Sequence, residues 1–140
     1  MGLVDYIGSI GSIDSIGAID VNSRDKTNTH IEHALAAARG AQQAAHAPYS
    51  RFKVGAALLD ADKNLTTGCN VESASFGLTL CAERNAISTR IAQLGTADRQ
   101  PPIEVVAIRT DAATPSAPCG ASRQWLAEFC PPSTLVVSEA

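Results

Sequence analysis

Two short segments carry residue types that could do metal chemistry. The first is Cys81-Ala82-Glu83-Arg84 and the second is Pro118-Cys119-Gly120-Ala121-Ser122, and each stands at the start of a predicted helix. A thiolate at a helix N-terminus is stabilised by the helix dipole, and thiolates are preferred ligands of zinc. Residues 119 and 122 lie on one face of a helix, so both could point at a single ion. The two segments together predict a zinc site.

Glu83 is the candidate proton carrier of this site. Zinc deaminases hold the metal through His/Cys/Cys or three Cys, and they add a glutamate that is not a ligand. A glutamate two residues after Cys81 can reach the water on the metal. Zinc would lower the pKa of this water towards neutrality, and the resulting hydroxide can attack an amidine carbon. Glu83 would carry the proton to the ring nitrogen and to the leaving ammonia. Cys-x-Glu alone is a weak signal, and Pro-Cys-x-x-Ser alone is weaker still. Their combination is far more specific, because each segment opens a predicted helix and the two are separated by one helix and one strand.

The elements that must position these residues indicate a three-layer α/β domain with helices on a mixed sheet. Thr29 and Glu32 fit a capping box, and the Ala-rich helix that follows ends before Pro48. Gly95 suits the C-terminus of the helix that begins near Cys81. The predicted helices are 31–45, 81–94 and 120–129, and the predicted strands are 52–59, 65–69, 103–108 and 134–137.

Residues 1–28 are predicted to be a flexible, low-complexity leader, and residues 29–140 to be the folded domain. Isoleucine recurs at every third position from Ile7 to Ile19, a period that matches neither a helix nor a strand. The run 21–28 is polar and is typical of a linker.

Composition excludes several classes of function. The 140-residue chain has a net charge of −3, so it offers no basic face for nucleic acid. It has neither an apolar run long enough to span a bilayer nor a secretory signal. Its four cysteines therefore predict a reduced, cytoplasmic protein rather than a disulfide framework. We expect Cys69, Cys130, Trp125 and Phe129 to pack in the core, and the three histidines to lie at the surface.

Four blocks of the sequence resemble the cytidine deaminase family. They are Ala47–Leu58 (APYSRFKVGAAL), Gly68–Gly77 (GCNVESASFG), Cys81–Arg84 (CAER) and Pro118–Gln124 (PCGASRQ), in the family's order and spacing across about residues 29–129. The resemblance implies a three-layer α/β/α fold with a mixed five-stranded sheet. It also implies a compact homotetramer that deaminates free cytidine and deoxycytidine in pyrimidine salvage.

The resemblance assigns roles to individual residues. Cys81 and Cys119 would be zinc ligands, and Glu83 would be the proton shuttle. Asn70 and Glu72 would hold the ribose hydroxyls, and Phe52 would pack against the base. Arg84 would donate a hydrogen bond to ligand sulfur.

Ser122 departs from the family pattern because it stands at the third ligand position, where a cysteine is expected. A neutral hydroxyl is a poor zinc ligand. Three interpretations stay open: Ser122 weakens zinc and activity, another group completes the coordination, or the protein keeps the fold without the reaction. The C-terminus departs as well, because only 17 residues follow Arg123. That short segment raises the question of whether the family's last elements are truncated here.

The leading hypothesis from the sequence is therefore a zinc-dependent cytidine/deoxycytidine deaminase, impaired to an unknown degree by Ser122. A related alternative is a deaminase of another aminopyrimidine nucleoside, such as blasticidin S. An alternative from a different class is a catalytically silent nucleoside-binding protein on the same fold.

Overall fold

A computed structural model describes residues 4–9 and 21–140, with side chains from residue 28 onward. The chain forms five strands and three α-helices in this part. In chain order they are β1 (Val4–Ser9), α1 (Val21–Gln43), β2 (Val54–Asp60), β3 (Leu65–Cys69), α2 (Ala82–Leu94), β4 (Ile103–Thr110), α3 (Gly120–Phe129) and β5 (Leu135–Glu139). Within the described residues, no helix is both long and apolar enough to cross a membrane.

The five strands form one mixed sheet in the order β1-β5-β4-β2-β3. Only β4 and β5 run parallel, and the other neighbouring pairs are antiparallel. Side chains of a strand alternate between the two faces of a sheet, so each strand contributes to two cores. Ala56, Leu58 and Val106 face α2 and α3, whereas Ala57 and Leu59 face α1. The predicted three-layer α/β/α fold with a mixed sheet is confirmed.

Two glycines let the helices approach the β2–β3 hairpin without an intervening side chain. A Cβ atom on Gly55 would lie 2.0 Å from the carbonyl oxygen of Ala38 in α1. A Cβ atom on Gly68 would lie 2.4 Å from the amide nitrogen of Ala86 in α2. Real Cβ atoms do not come this close, so both positions require glycine for the observed packing.

The first part of the chain differs from the prediction. Helix α1 begins at Val21 rather than Thr29, so the predicted boundary at residue 28 falls inside this helix. A polar run has no periodicity of its own, but it can extend a helix that a neighbouring segment has nucleated. Residues 4–9 of the predicted leader form β1 because they pair with β5, and such pairing overrides local propensity. The rest of the predicted leader lies outside the described residues.

The other predicted elements agree with the structure to within two residues at most of their ends. Helix α2 ends at Gly95, which has a φ of 88°, the left-handed region that glycine enters without steric cost. Trp125 and Phe129 pack against the core on the α2–α3 face with their ring centres 5.5 Å apart, as predicted. Cys130 is buried in the same core, as predicted, whereas Cys69 is half-buried.

Candidate active site

The sheet topology brings the predicted site segments to one end of the molecule. Strand β2 lies between β3 and β4 and is antiparallel to both, so these two strands run in the same direction. Both end beside the start of β2, one on each side of it. The chain leaves β3 through a loop into α2, and it leaves β4 through a loop into α3. Both helices pack on the same face of the sheet. Their N-termini therefore converge, and with them the partial positive charge of two helix dipoles.

Cys81 and Cys119 are the N-cap residues of α2 and α3. Their Sγ atoms lie 3.6 Å apart. Two thiolates bound to one zinc ion at about 2.3 Å in tetrahedral geometry would lie about 3.8 Å apart. The two sulfurs thus fit two positions of a zinc site, and these residues would hold the ion.

Ser122 lies beside the sulfur pair and is fully buried. Its Oγ atom is 3.5 Å from Cys119 Sγ, close to the separation of about 3.5 Å expected for an oxygen and a sulfur on one zinc. The position therefore suits a ligand, but its chemistry suits zinc poorly, because the hydroxyl is neutral. Among the described residues, no group of three histidine, cysteine, aspartate or glutamate side chains could hold a metal. The donor set is thus two sulfurs and one hydroxyl.

Glu83 is buried in the first turn of α2, with 5 % of its surface exposed. Burial raises the pKa of its carboxyl group, although the Ser122 hydroxyl and the charge of Arg84 oppose that shift. A carboxyl group whose pKa is raised toward neutrality is suited to both accept and release a proton. Glu83 lines the same cavity as the two cysteines, and it is the one carboxylate among the described residues that line that cavity.

A cavity of about 240 Å³ opens onto these groups. Phe52, Val54 and Asn70 line it on one side. Thr79, Cys81, Ala82, Glu83, Ile108, Thr110, Ser116, Ala117 and Cys119 line the rest. Apolar walls with a few polar groups are typical of a site for a small organic ligand.

Asn70 and Glu72 have different surroundings, although the sequence predicts the same kind of role for both. Asn70 is buried, and its side chain donates to Phe52 O at 2.9 Å and accepts from Val54 N at 2.8 Å. Glu72 is not among the residues that line the cavity. Its carboxylate accepts hydrogen bonds from the amides of Tyr49 and Ser50 and from the Ser50 hydroxyl, and this last bond in particular lowers its pKa. Contact of either residue with a ribose stays a prediction.

Arg84 lies against the sulfur of Cys81, as the resemblance implies. Its Nη2 atom donates to Cys81 Sγ at 3.4 Å and to the carbonyl oxygen of Thr79 at 2.9 Å. Within the described residues, its buried Nε atom has no hydrogen-bond partner. Arg84 thereby places its positive charge beside the Cys81 sulfur.

Comparison with known proteins places this site in a family. Residues 24–138 match the family model described as the cytidine and deoxycytidylate deaminase zinc-binding region. The chain belongs to the cytidine deaminase family. It is 46 % identical over 96 residues to a cytidine deaminase of Halalkalibacterium halodurans, covering 69 % of each chain. It is 39 % identical over 100 residues to a cytidine deaminase of Sporosarcina psychrophila, covering 71 % of this chain and 70 % of that one.

Solved structures of cytidine deaminases have the same fold as this family member. The crystal structure of cytidine deaminase from Burkholderia pseudomallei matches with a TM-score of 0.69 and 41 % identity, covering 77 % of this chain and 83 % of that chain. The crystal structure of cytidine deaminase from Mycobacterium tuberculosis matches with a TM-score of 0.67 and 36 % identity, covering 75 % and 81 %.

Sequence reasoning missed several residues that line the cavity of this family member. Thr110 ends β4, and Ser116 and Ala117 precede the second cysteine segment. None has a chemically distinctive side chain, and the loop that contains 116 and 117 has no periodicity. The one available signal was proximity in sequence to Pro118 and Cys119.

Proposed function

We propose that this chain catalyses the zinc-dependent hydrolytic deamination of cytidine and deoxycytidine to uridine and deoxyuridine, as in pyrimidine salvage. The observation that carries the proposal is the buried Glu83 carboxyl group beside the Cys81–Cys119 sulfur pair, on the wall of a cavity of about 240 Å³. The names of the relatives support the same reaction.

In the proposed reaction, the two cysteines bind the metal and Glu83 transfers protons. Cys81 and Cys119 would hold a zinc ion, which would supply the Lewis acidity that lowers the pKa of a nearby water toward neutral pH. Glu83 accepts one proton from the attacking water and delivers it to the ring nitrogen; it then accepts the second proton from the hydroxyl group at the attacked carbon and delivers it to the departing amine. Water thus adds at the carbon that bears the amino group, and ammonia leaves, so the products are a uracil nucleoside and ammonia.

A free nucleoside is favoured over a nucleotide as the substrate. None of the described residues that line the cavity is cationic. A phosphate group would need arginine or lysine side chains, or a free helix N-terminus, to offset the loss of its hydration. The two helix N-termini at this site are already occupied by the cysteines. Phe52 offers a partly exposed ring, and Ile108 an apolar wall, to a flat base.

Replacing Glu83 by glutamine tests the proposed function. The amide keeps the size of the side chain but cannot carry the proton, so the rate of ammonia release from cytidine should fall by about 10²–10⁴-fold. Zinc content, measured by atomic emission, should stay as in the parent protein. Glu128→Gln, an exposed change on α3 outside the cavity, is the matched control. Turnover by Glu83→Gln equal to that of the control would remove Glu83 from the proposed role.

A catalytically silent nucleoside-binding protein is the second candidate, and Ser122 is the observation that favours it. With two sulfurs and a hydroxyl as donors, the site would hold zinc less tightly than three sulfurs would. Protein that binds cytidine in calorimetry, yet neither retains added zinc nor releases ammonia, would support this candidate against the enzyme.

We also propose that the protein assembles as a homotetramer in the cytoplasm. Phe76 and Leu78 are 72 % and 74 % exposed, and Phe76 stacks edge-on against the half-exposed Tyr49 at 5.6 Å. An exposed apolar cluster of this kind favours contact with another protein surface. Analytical ultracentrifugation of the full chain should give a mass of four subunits, and a monomer at micromolar concentration would contradict the proposal.

A further inference from the structure

The two sulfurs of the site are close enough to react with each other. Cys81 Sγ and Cys119 Sγ lie 3.6 Å apart, whereas a disulfide bond is about 2.05 Å long. Each sulfur would need to move by only about 0.8 Å to form that bond. Both cysteines are N-cap residues, and the Cys81 side chain makes no capping hydrogen bond. Movement of Cys119 Sγ would disturb the long hydrogen bond that it accepts from Ser122 N at 3.5 Å.

Access to this pair differs from access to the other two cysteines. Cys119 is exposed and Cys81 is half-buried, and both line the cavity. Cys130 is buried in the core, and burial raises the pKa of its thiol to about 12. Cys69 is half-buried at the end of β3. A small oxidant that enters the cavity therefore meets Cys119 and Cys81 before it meets the other thiols.

Ser122 leaves this pair without a third sulfur. Its hydroxyl lies 3.5 Å from Cys119 Sγ, where it can neither be oxidised to a disulfide nor hold a soft metal firmly. Metal-bound thiolates are shielded from oxidants as long as the metal stays. A site with two sulfurs releases its metal more readily than a site with three, so its thiols spend more time unprotected.

We propose that Cys81 and Cys119 are an oxidative modification site, where hydrogen peroxide converts the metal-free pair into an intramolecular disulfide. The exposed Cys119 sulfur attacks the peroxide, the O–O bond breaks, a sulfenic acid forms and one water leaves. The Cys81 sulfur then displaces the hydroxyl group from Cys119 as a second water and forms the S–S bond. The two sulfurs together lose two electrons and two protons, and one hydrogen peroxide becomes two waters.

Thiol counting and mass spectrometry of the full chain test the proposal. The protein is freed of metal with a chelator, treated with a small excess of hydrogen peroxide and then denatured. Of the four thiols, two should become unreactive, the intact mass should fall by two hydrogen atoms, and a dithiol reductant should restore both values. Peptide mapping should find the link between the peptides that contain Cys81 and Cys119. Four remaining thiols, higher oxidation without a link, or a link through Cys69 or Cys130 would each overturn the proposal.

Single variants supply the controls. Cys69→Ser and Cys130→Ala should form the link at the rate of the parent protein, whereas Cys81→Ser and Cys119→Ser should not form it. Circular dichroism checks that each variant is folded, and peptide mapping of the parent protein decides the matter if one is not. The proposal does not rest on deaminase activity. Protein that releases no ammonia but forms the link supports it, and active protein whose metal-free thiols stay unlinked contradicts it.

Discussion

A hydroxyl and a thiol of similar size differ greatly as ligands for zinc, and Ser122 shows that difference at a single position. The backbone of α3 holds residue 122 where its Oγ atom is 3.5 Å from Cys119 Sγ, a separation that suits two ligands of one ion. The fold thus keeps the geometry of a third ligand, whereas the residue supplies a neutral oxygen. We therefore expect the affinity for zinc to depend on this residue more than on the scaffold around it.

Ser122→Cys should raise the affinity for zinc by roughly 10-fold or more, since changes that do not even remove a direct ligand alter affinity by 10- to 100-fold. Competition with a chromogenic chelator measures the affinity, and ammonia release from cytidine should rise with zinc occupancy. Ser122→Ala, which offers no donor atom, is the control and should bind zinc no better than the parent protein. Equal zinc affinity in the cysteine variant and the parent would place residue 122 outside the metal site.

Asn70 contributes to the site by holding the backbone of the segment that leads into β2. Its side chain bridges the carbonyl group of Phe52 and the amide group of Val54, and both of these residues line the cavity. Asn70→Ala would leave both backbone groups without these bonds, at a cost of about 1–3 kcal/mol in the free energy of unfolding. Denaturant titration measures that loss. Gln43→Ala, an exposed change on α1, should leave the unfolding free energy within about 0.5 kcal/mol of the parent value.

At the scale of the elements, glycine sets how closely α2 approaches β3. A methyl group on Gly68 would lie 2.4 Å from Ala86 N and 2.7 Å from Ala82 O, and both of these are backbone atoms that cannot turn aside. Because α2 carries Cys81 and Glu83 at its start, any displacement of this helix moves the site as well.

Gly68→Ala should therefore destabilise the protein by about 1–3 kcal/mol or more, the usual cost of overpacking. It should also lower zinc affinity and turnover. Gly40→Ala is the matched control, because a methyl group on this glycine of α1 meets nothing within 4 Å. That variant should be more stable by about 0.5–1 kcal/mol, since alanine is the better helix former. Thermal unfolding of both variants gives the comparison, and a Gly68→Ala protein as stable as Gly40→Ala would show that α2 can shift without cost.

The sequence predicts elements well where a residue type marks a boundary. Helix α3 follows Cys119 and ends before Pro131, and α2 ends at Gly95, so both were predicted to within one residue. Strand β1 was not predicted, since its existence depends on pairing with β5, which lies at the other end of the chain. Periodicity reports which face of an element is buried, but it contains no information on distant partners.

The same limit applies to the candidate site. Cys81, Glu83, Cys119 and Ser122 were predicted to meet, and the structure brings them together because two helix N-termini share one end of the sheet. Thr110 and Ser116 also line the cavity, but common polar residues in a strand end and a loop show no distinguishing pattern. Their position follows from tertiary packing alone.

At the scale of the whole molecule, a buried ion pair joins strand β2 of the sheet to helix α2. Asp60 at the end of β2 is fully buried and lies 3.0 Å from Arg90 of α2, which is 2 % exposed. Burial alone would raise the pKa of Asp60, but hydrogen bonds from Asn64 and Arg90 and the charge of Arg90 outweigh it, so the pKa is lowered from 3.8. The folded protein therefore binds a proton at Asp60 less readily than the unfolded chain does.

Asp60→Asn should cost about 3–5 kcal/mol at neutral pH, because it leaves the Arg90 charge buried without its partner. The carboxylate of the parent protein contributes its stability above the unfolded pKa near 3.8, and that contribution is lost as pH falls through the lower folded pKa. The gap between parent and variant should therefore shrink as pH falls below about 4. Urea unfolding at several pH values measures it. Glu104→Gln, which removes the exposed pair with Lys63, should cost under about 1 kcal/mol. A gap that does not change with pH would contradict this account of Asp60.

The two glycines of the β2–β3 hairpin have a consequence for motion in the protein. Gly55 contacts the backbone of α1 on one face of the sheet, and Gly68 contacts the backbone of α2 on the other. They occupy adjacent rungs of the hairpin, since Gly55 pairs with Cys69 and Ala56 pairs with Gly68. With no side chain to act as a compressible layer, a displacement of α1 passes through one thickness of backbone to the first turn of α2. We therefore expect a change in α1, which contributes no residue to the cavity lining, to alter amide hydrogen exchange in α2, the helix that carries Glu83.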